Sequence, residues 1–127
     1  MLNLFQSKKK EVKKVLQTQL LVLYIHADWC ENGKTMQTRF DQLRNKFDGQ
    51  EVLFVKLDYT NNTTKHQSAL LGIALGLRDV LERAKGTGFM LVVSAKSLQV
   101  LNGFNHKKNL SEMIALVEAN LQEVMAS

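Results

Sequence analysis

Proline is absent from all 127 residues, and cysteine occurs once, at position 30. A lone cysteine excludes an internal disulfide framework, so the cytoplasm is the expected address. The lack of proline excludes Pro-rich linkers and removes the only residue for which a cis peptide bond is cheap. Long apolar runs are missing as well. The strongest, Leu20 to Ile25, falls far short of the roughly 20 residues needed to span a bilayer. The opening residues, Met1 to Ser7, are followed by lysines rather than preceded by them, the reverse of a secretory leader.

What remains is an ordinary globular balance, 45% apolar and 23% charged. With this chain length it suits a single domain over residues 1–127 built on one core. The net charge of +5 is concentrated in Lys8, Lys9, Lys10, Lys13 and Lys14. Such a run can meet nucleic acid or an anionic membrane. No aromatic residue interleaves with these lysines, so the stacking that single-strand binders use is missing. The run reads instead as the solvated face of a helix from about Leu4 to Thr18, with Val12, Val15 and Leu16 on its other face. Neither nucleic acid nor a membrane is the expected partner.

Leu20 to Ile25 is apolar at every position, the pattern of a central strand covered on both faces. Met36, Phe40, Leu43 and Phe47 then recur at helical spacing, and Gly49 supplies a C-terminal cap. Val52 to Leu57 is a second strand, rich in bulky residues. Thr64 and Gln67 have capping-box spacing ahead of a helical stripe of Leu70, Ile73, Leu77, Leu81 and Ala84. Gly76 predicts a break in that stripe, with Asp79 capping a second short helix. Phe89 to Val93 and Leu98 to Phe104 form a hairpin about the turn Ser94 to Ser97. Asn109 or Ser111 starts a last helix on Leu110, Ile114, Val117, Leu121 and Val124. A strand-helix-strand half followed by a hairpin and a closing helix makes an α/β sandwich, a central mixed sheet of about four strands flanked by helices.

Between the first strand and the helix after it lies Ala27-Asp28-Trp29-Cys30-Glu31-Asn32-Gly33-Lys34. This resembles the Trp-Cys-x-x-Cys-Lys redox loop of the thioredoxin family, with Trp29, Cys30 and Lys34 in matching positions. The buried strand before it, the Val55 to Asp58 strand end and the terminal hairpin and helix extend the likeness over nearly the whole chain. The resemblance implies a thioredoxin-like sandwich and thiol-disulfide chemistry. It also exposes departures. Gly33 stands where the family has its second cysteine, so an internal dithiol cycle is impossible. The family's cis-proline place falls near Thr87, where a trans bond is expected because cis costs about 2.5–4 kcal/mol before other residues. The family's buried acid aligns with Tyr24, and the stretch from Asp58 to Phe89 is longer by about one short helix.

A cysteine at a helix N-terminus feels the positive end of the helix dipole, which lowers a thiol pKa. Lys34 is the candidate thiolate stabiliser, while Asp28 and Glu31 oppose it. Placement leaves two readings of Cys30 open. It is either a reactive thiol that forms mixed disulfides with glutathione or a partner protein, or a small apolar residue packed under Trp29 and inert. His26 and Cys30 are conceivable metal ligands, but two ligands do not make a zinc site, so no metal and no cofactor are expected. The expectation is a monothiol thioredoxin-like protein with Cys30 as its candidate catalytic thiol, a binding face of Trp29, Glu31, Asn32, Gly33 and Thr87, and no dithiol oxidoreductase cycling. The alternative is a non-catalytic binding module that uses the same face.

Overall fold

The computed structural model describes residues 17–127. The lysine-rich helix expected over about Leu4 to Thr18 therefore lies outside the described residues, apart from Gln17 and Thr18, which are not helical. The elements are β1 (Leu20–His26), α1 (Gly33–Lys46), β2 (Val52–Asp58), α2 (Asn62–Ala74), α3 (Arg78–Arg83), β3 (Phe89–Ser94), β4 (Val100–Asn105) and α4 (Leu110–Ala126). The strands form one mixed sheet in the order β2-β1-β3-β4, with β1 parallel to β2 and antiparallel to β3. This is the α/β sandwich the sequence predicts.

All seven residues of β1 are buried. Because strand side chains alternate between faces, β1 feeds two separate cores. Leu20, Val22 and Tyr24 join Met36, Phe40 and Leu43 of α1, Phe47 at its C-cap, and Met113, Val117 and Leu121 of α4. Leu21, Leu23 and Ile25 join Val55, Leu57, Leu77 and Val93 on the other face, with Leu75, Val80 and Leu81 packed against them. Asn109 opens α4 with a capping box to Glu112. Arg39 of α1 donates to the carbonyls of His106 and Lys108 at 2.6 and 2.7 Å, which ties α1 to the approach of α4.

Four local expectations are corrected, the last of them at Asp79 below. The box that starts α2 is Asn61 with Thr64, not Thr64 with Gln67, and the helix begins earlier as a result. The inward face of α2 is made of small residues, Ser68 and Gly72, while Leu70 and Ile73 stay exposed. A Cβ on Gly72 would collide with the Leu81 side chain, so only a small residue lets α2 lie this close to α3. Third, β4 starts at Val100 rather than Leu98. Leu98 adopts φ 60, a left-handed turn conformation, and the register shifts between Val92 and Val93.

The break at Gly76 stands as expected. Gly76 has φ 77, its N–H donates to Ile73 O, and the Leu77 N–H donates to Gly72 O at 2.8 Å. This is a Schellman ending that glycine adopts without strain. Asp79 lies in the first turn of α3 and does not cap it; Leu77 is the N-cap.

Two substitutions test this division of apolar residues. Phe40 is 2% exposed, and Phe40→Ala is expected to lower stability by about 3–5 kcal/mol through a cavity in the first core. Leu70 is 55% exposed, and Leu70→Ala should stay within about 0.5 kcal/mol of the parent. Urea unfolding of both variants checks the contrast, and equal losses would refute the assignment of α2's faces.

Candidate functional site

β1 ends at His26, and the chain then turns sharply into α1. Cys30 N–H donates to Ala27 O and Gly33 N–H donates to Cys30 O, both at 3.0 Å. These two turns carry the chain from strand to helix in six residues and set Cys30 just ahead of α1. Asn32 is the N-cap, makes no side-chain capping bond, and no acidic residue sits in the first helical turn. The first N–H groups of α1 therefore lack a side-chain partner from the cap.

Cys30 is half-buried. Its Sγ rests against Gly88, where a Cβ would come within 2.7 Å of the sulfur. Gly88 has φ 79 and donates its N–H to Ile25 O at 2.7 Å, which anchors the Gly86 to Gly88 loop beside β1. Both the left-handed φ and the sulfur contact require glycine there. The fold thus brings Cys30 to the loop carrying Thr87, whose preceding peptide bond is trans. Lys34 and Glu31 are exposed on either side of the turn, Asn32 is partly covered and Gly33 is buried.

Trp29 is 67% exposed, yet its Nε1–H donates to Thr60 O at 2.9 Å. The indole is an exposed surface feature that this bond ties to the β2–α2 loop. Thr60 holds the loop a second time by accepting from Asp28 N–H at 3.0 Å. Its hydroxyl in turn donates to Asp58 Oδ1 at 2.5 Å and its N–H to the same oxygen at 3.0 Å. Burial alone would raise the Asp58 pKa, but these two bonds, with His26 and Lys56 nearby, hold it below the usual carboxylate range. Ser68 fixes the same corner by accepting from Asp58 N–H at 2.8 Å.

Beneath Gly33 lies a polar chain that the sequence reading did not assemble. His26 Nε2 is 2.7 Å from Asp28 Oδ1. His26 Nδ1 is 2.8 Å from the Tyr24 hydroxyl, which in turn lies 3.2 Å from Gly33 O. Burial pushes the Tyr24 phenol well above its ordinary range, with Cys30 and nearby carboxylates adding to it. Tyr24 is a neutral donor here. Tyr24 and His26 alternate along β1 and so share one face, a period-2 signal available in the sequence, while Asp28 meets His26 from the turn that follows. Thr60 and Asp58 carried no such signal, since only the fold brings them across roughly 30 residues.

The described residues contain no group of three or more His, Cys, Asp or Glu side chains placed to hold a metal ion. No helix among them is long and apolar enough to cross a membrane.

The thioredoxin family model matches residues 3–72. Among solved structures, a thioredoxin-family thiol:disulfide interchange protein from Chlorobium tepidum is 12% identical, with a TM-score of 0.60 over 84% of this chain and 82% of its own. The oxidised thioredoxin of Plasmodium falciparum is 14% identical over 90% and 91%, with a TM-score of 0.52. Thioredoxin f2 of Chlamydomonas reinhardtii is 22% identical over 82% and 81%, with a TM-score of 0.51. No curated protein matches the chain in sequence. At these identities the structural likenesses speak to the fold.

Two outcomes follow from the site. A Cβ at Gly33 would lie 3.2 Å from Ala27 O and 3.9 Å from His26 Cε1, so a side chain fits after a shift of a few tenths of an ångström. The turn closed by the Gly33 N–H to Cys30 O bond keeps these Cα atoms within about 7 Å, at the limit of disulfide reach. Mild oxidation of Gly33→Cys should therefore give the two-hydrogen mass loss of an internal disulfide, and two free thiols in folded protein would contradict the loop geometry. Separately, the lowered Asp58 pKa contributes stability that is present above the ordinary carboxylate range of about pH 4 and is lost as pH falls through the lower folded value. Thr60→Val, which removes the hydroxyl bond and keeps the backbone one, should flatten the acid limb of stability against pH, and an unchanged limb would refute the role of the hydroxyl.

Proposed function

The chain belongs to the thioredoxin family, and on that premise we propose that it is a monothiol thioredoxin-like protein. Cys30 forms mixed disulfides with protein or glutathione thiols and does not cycle through an internal dithiol. The observation that carries this reading is the half-buried sulfur at the start of α1, lodged against Gly88 and beside the Thr87 loop. Gly33 takes the place of a second cysteine, and the chain holds no other thiol.

The step is ordinary thiol-disulfide exchange. The Cys30 thiolate attacks one sulfur of a disulfide, forming a new S–S bond and releasing the other half as a thiolate that takes a proton from solvent. The electron count does not change within this exchange. Release of Cys30 needs a second thiol, from glutathione or another protein, to attack the mixed disulfide in the same way. The positive end of α1 stabilises the Cys30 thiolate as nucleophile and leaving group. Lys34, one turn along, adds to that field, and Trp29, Glu31, Asn32 and Thr87 shape the docking face.

The exposed, hydrogen-bonded Trp29 supports a second reading in which the same face binds a protein without chemistry at Cys30. Two measurements separate the readings. Incubation with oxidised glutathione should give one glutathione adduct by mass spectrometry in the wild type and none in Cys30→Ser; an unmodified wild type favours the binding module. Insulin reduction should show no thioredoxin-like turnover, and catalytic turnover would overturn the monothiol assignment.

A further inference from the structure

His26 is 5% exposed, and nothing in the exchange step uses it. Counting its protons gives a result that depends on charge state. The Asp28 carboxylate only accepts, so His26 Nε2, 2.7 Å away, carries a hydrogen. With a neutral ring, Nδ1 is bare and takes the single Tyr24 hydroxyl proton across 2.8 Å. Gly33 O, 3.2 Å from that hydroxyl, then receives nothing from it. With a doubly protonated ring, Nδ1–H donates to the Tyr24 oxygen and the phenolic proton turns to Gly33 O. Only the imidazolium satisfies all three contacts at once.

The end of this chain lies under the thiol's own turn. Gly33 donates its N–H to Cys30 O at 3.0 Å, and the His26 ring sits 3.9 Å from where a Gly33 side chain would begin. We propose that His26 is a positioning residue for Cys30, its protonation closing the Asp28–His26–Tyr24–Gly33 chain and so changing the reactivity of the thiol. This rests on the reading of Cys30 as a reactive thiol. The charged and titratable groups that face the chain are Asp28 and Cys30 in the loop, Asp58 and Lys56 on β2, and Asp41 on α1. Asp28 and Asp58 are the carboxylates opposed to His26. The imidazolium adds a positive charge on the side of the turn from which α1 already presents its positive end.

The test is the rate of Cys30 alkylation by iodoacetamide across pH, set beside NMR titration of the assigned His26 ring nitrogens in the wild-type protein. Two inflections are expected, one coinciding with the His26 titration and one reporting the thiol. His26→Gln, which keeps a donor and an acceptor but not the charge, should lose the first and keep the second. The Gly33 resonances of the wild type should move with His26, a readout that stands even if the variant fails to fold. A single inflection in the wild type, both inflections in His26→Gln, or Gly33 signals indifferent to His26 would overturn the proposal while leaving Cys30 reactive. A thiol inert at every pH would overturn the monothiol reading and this inference with it.

Discussion

The structure depends on one fully buried strand. β1 has no exposed residue, is paired on both edges and supplies alternate side chains to two cores. Each buried large apolar side chain contributes about 1.5–3 kcal/mol, so a strand that buries six in a row is held in register more strictly than any other element. A slip of one residue would exchange the contents of the two cores. That strictness passes to the loop that follows. The positions of Cys30, Gly33 and the start of α1 are set by where β1 ends; Thr60 holds the loop by hydrogen bonds, and Gly88, bonded to β1, lies against the Cys30 sulfur.

What was legible in the sequence divides along the same line. The unbroken apolar run of β1, the 3.6-residue spacing of Met36, Phe40, Leu43 and Phe47, and the glycine at 76 are local signals, and the fold uses each as read. The second face of the sheet was harder to read because α2 packs through Ser68 and Gly72. A stripe of small residues leaves no hydrophobic signature, whereas the exposed Leu70 and Ile73 mimic one. Leu98 misled for a different reason. Its β-compatible side chain hid a left-handed backbone that the hairpin turn imposes.

The candidate site was legible as a motif but not as an environment. Cys30, Trp29 and Lys34 stand out by order along the chain, and Thr87 could be placed by likeness to the family. The Asp58–Thr60 anchor could not, because a hydrogen bond across the gap between two loops has no periodicity to betray it. Tyr24 marks the boundary between the two cases. Its alignment with the family's buried acid was evident, yet its meaning required His26 and Gly33 O to be seen at 2.8 and 3.2 Å.

Under the monothiol reading, Gly33 and Tyr24 belong to one physical change. In a dithiol loop the second sulfur attacks from within the same turn, and well-oriented intramolecular groups act at effective concentrations on the order of 10⁵ M or more. A thiol arriving from solution is many orders of magnitude more dilute, so a mixed disulfide on Cys30 persists until another molecule resolves it. A buried acid poised to deprotonate an internal thiol has no task in such a loop, and a buried carboxylate without one is a liability, since desolvation penalises its charge. Tyr24 answers that constraint by placing under Gly33 a hydroxyl that remains neutral. The ionisable role then shifts outward to His26, which is bonded to a carboxylate that reaches solvent. The lifetime of the covalent adduct is thus set by the partner thiol, whereas the polar chain beneath the turn acts on the formation of the adduct.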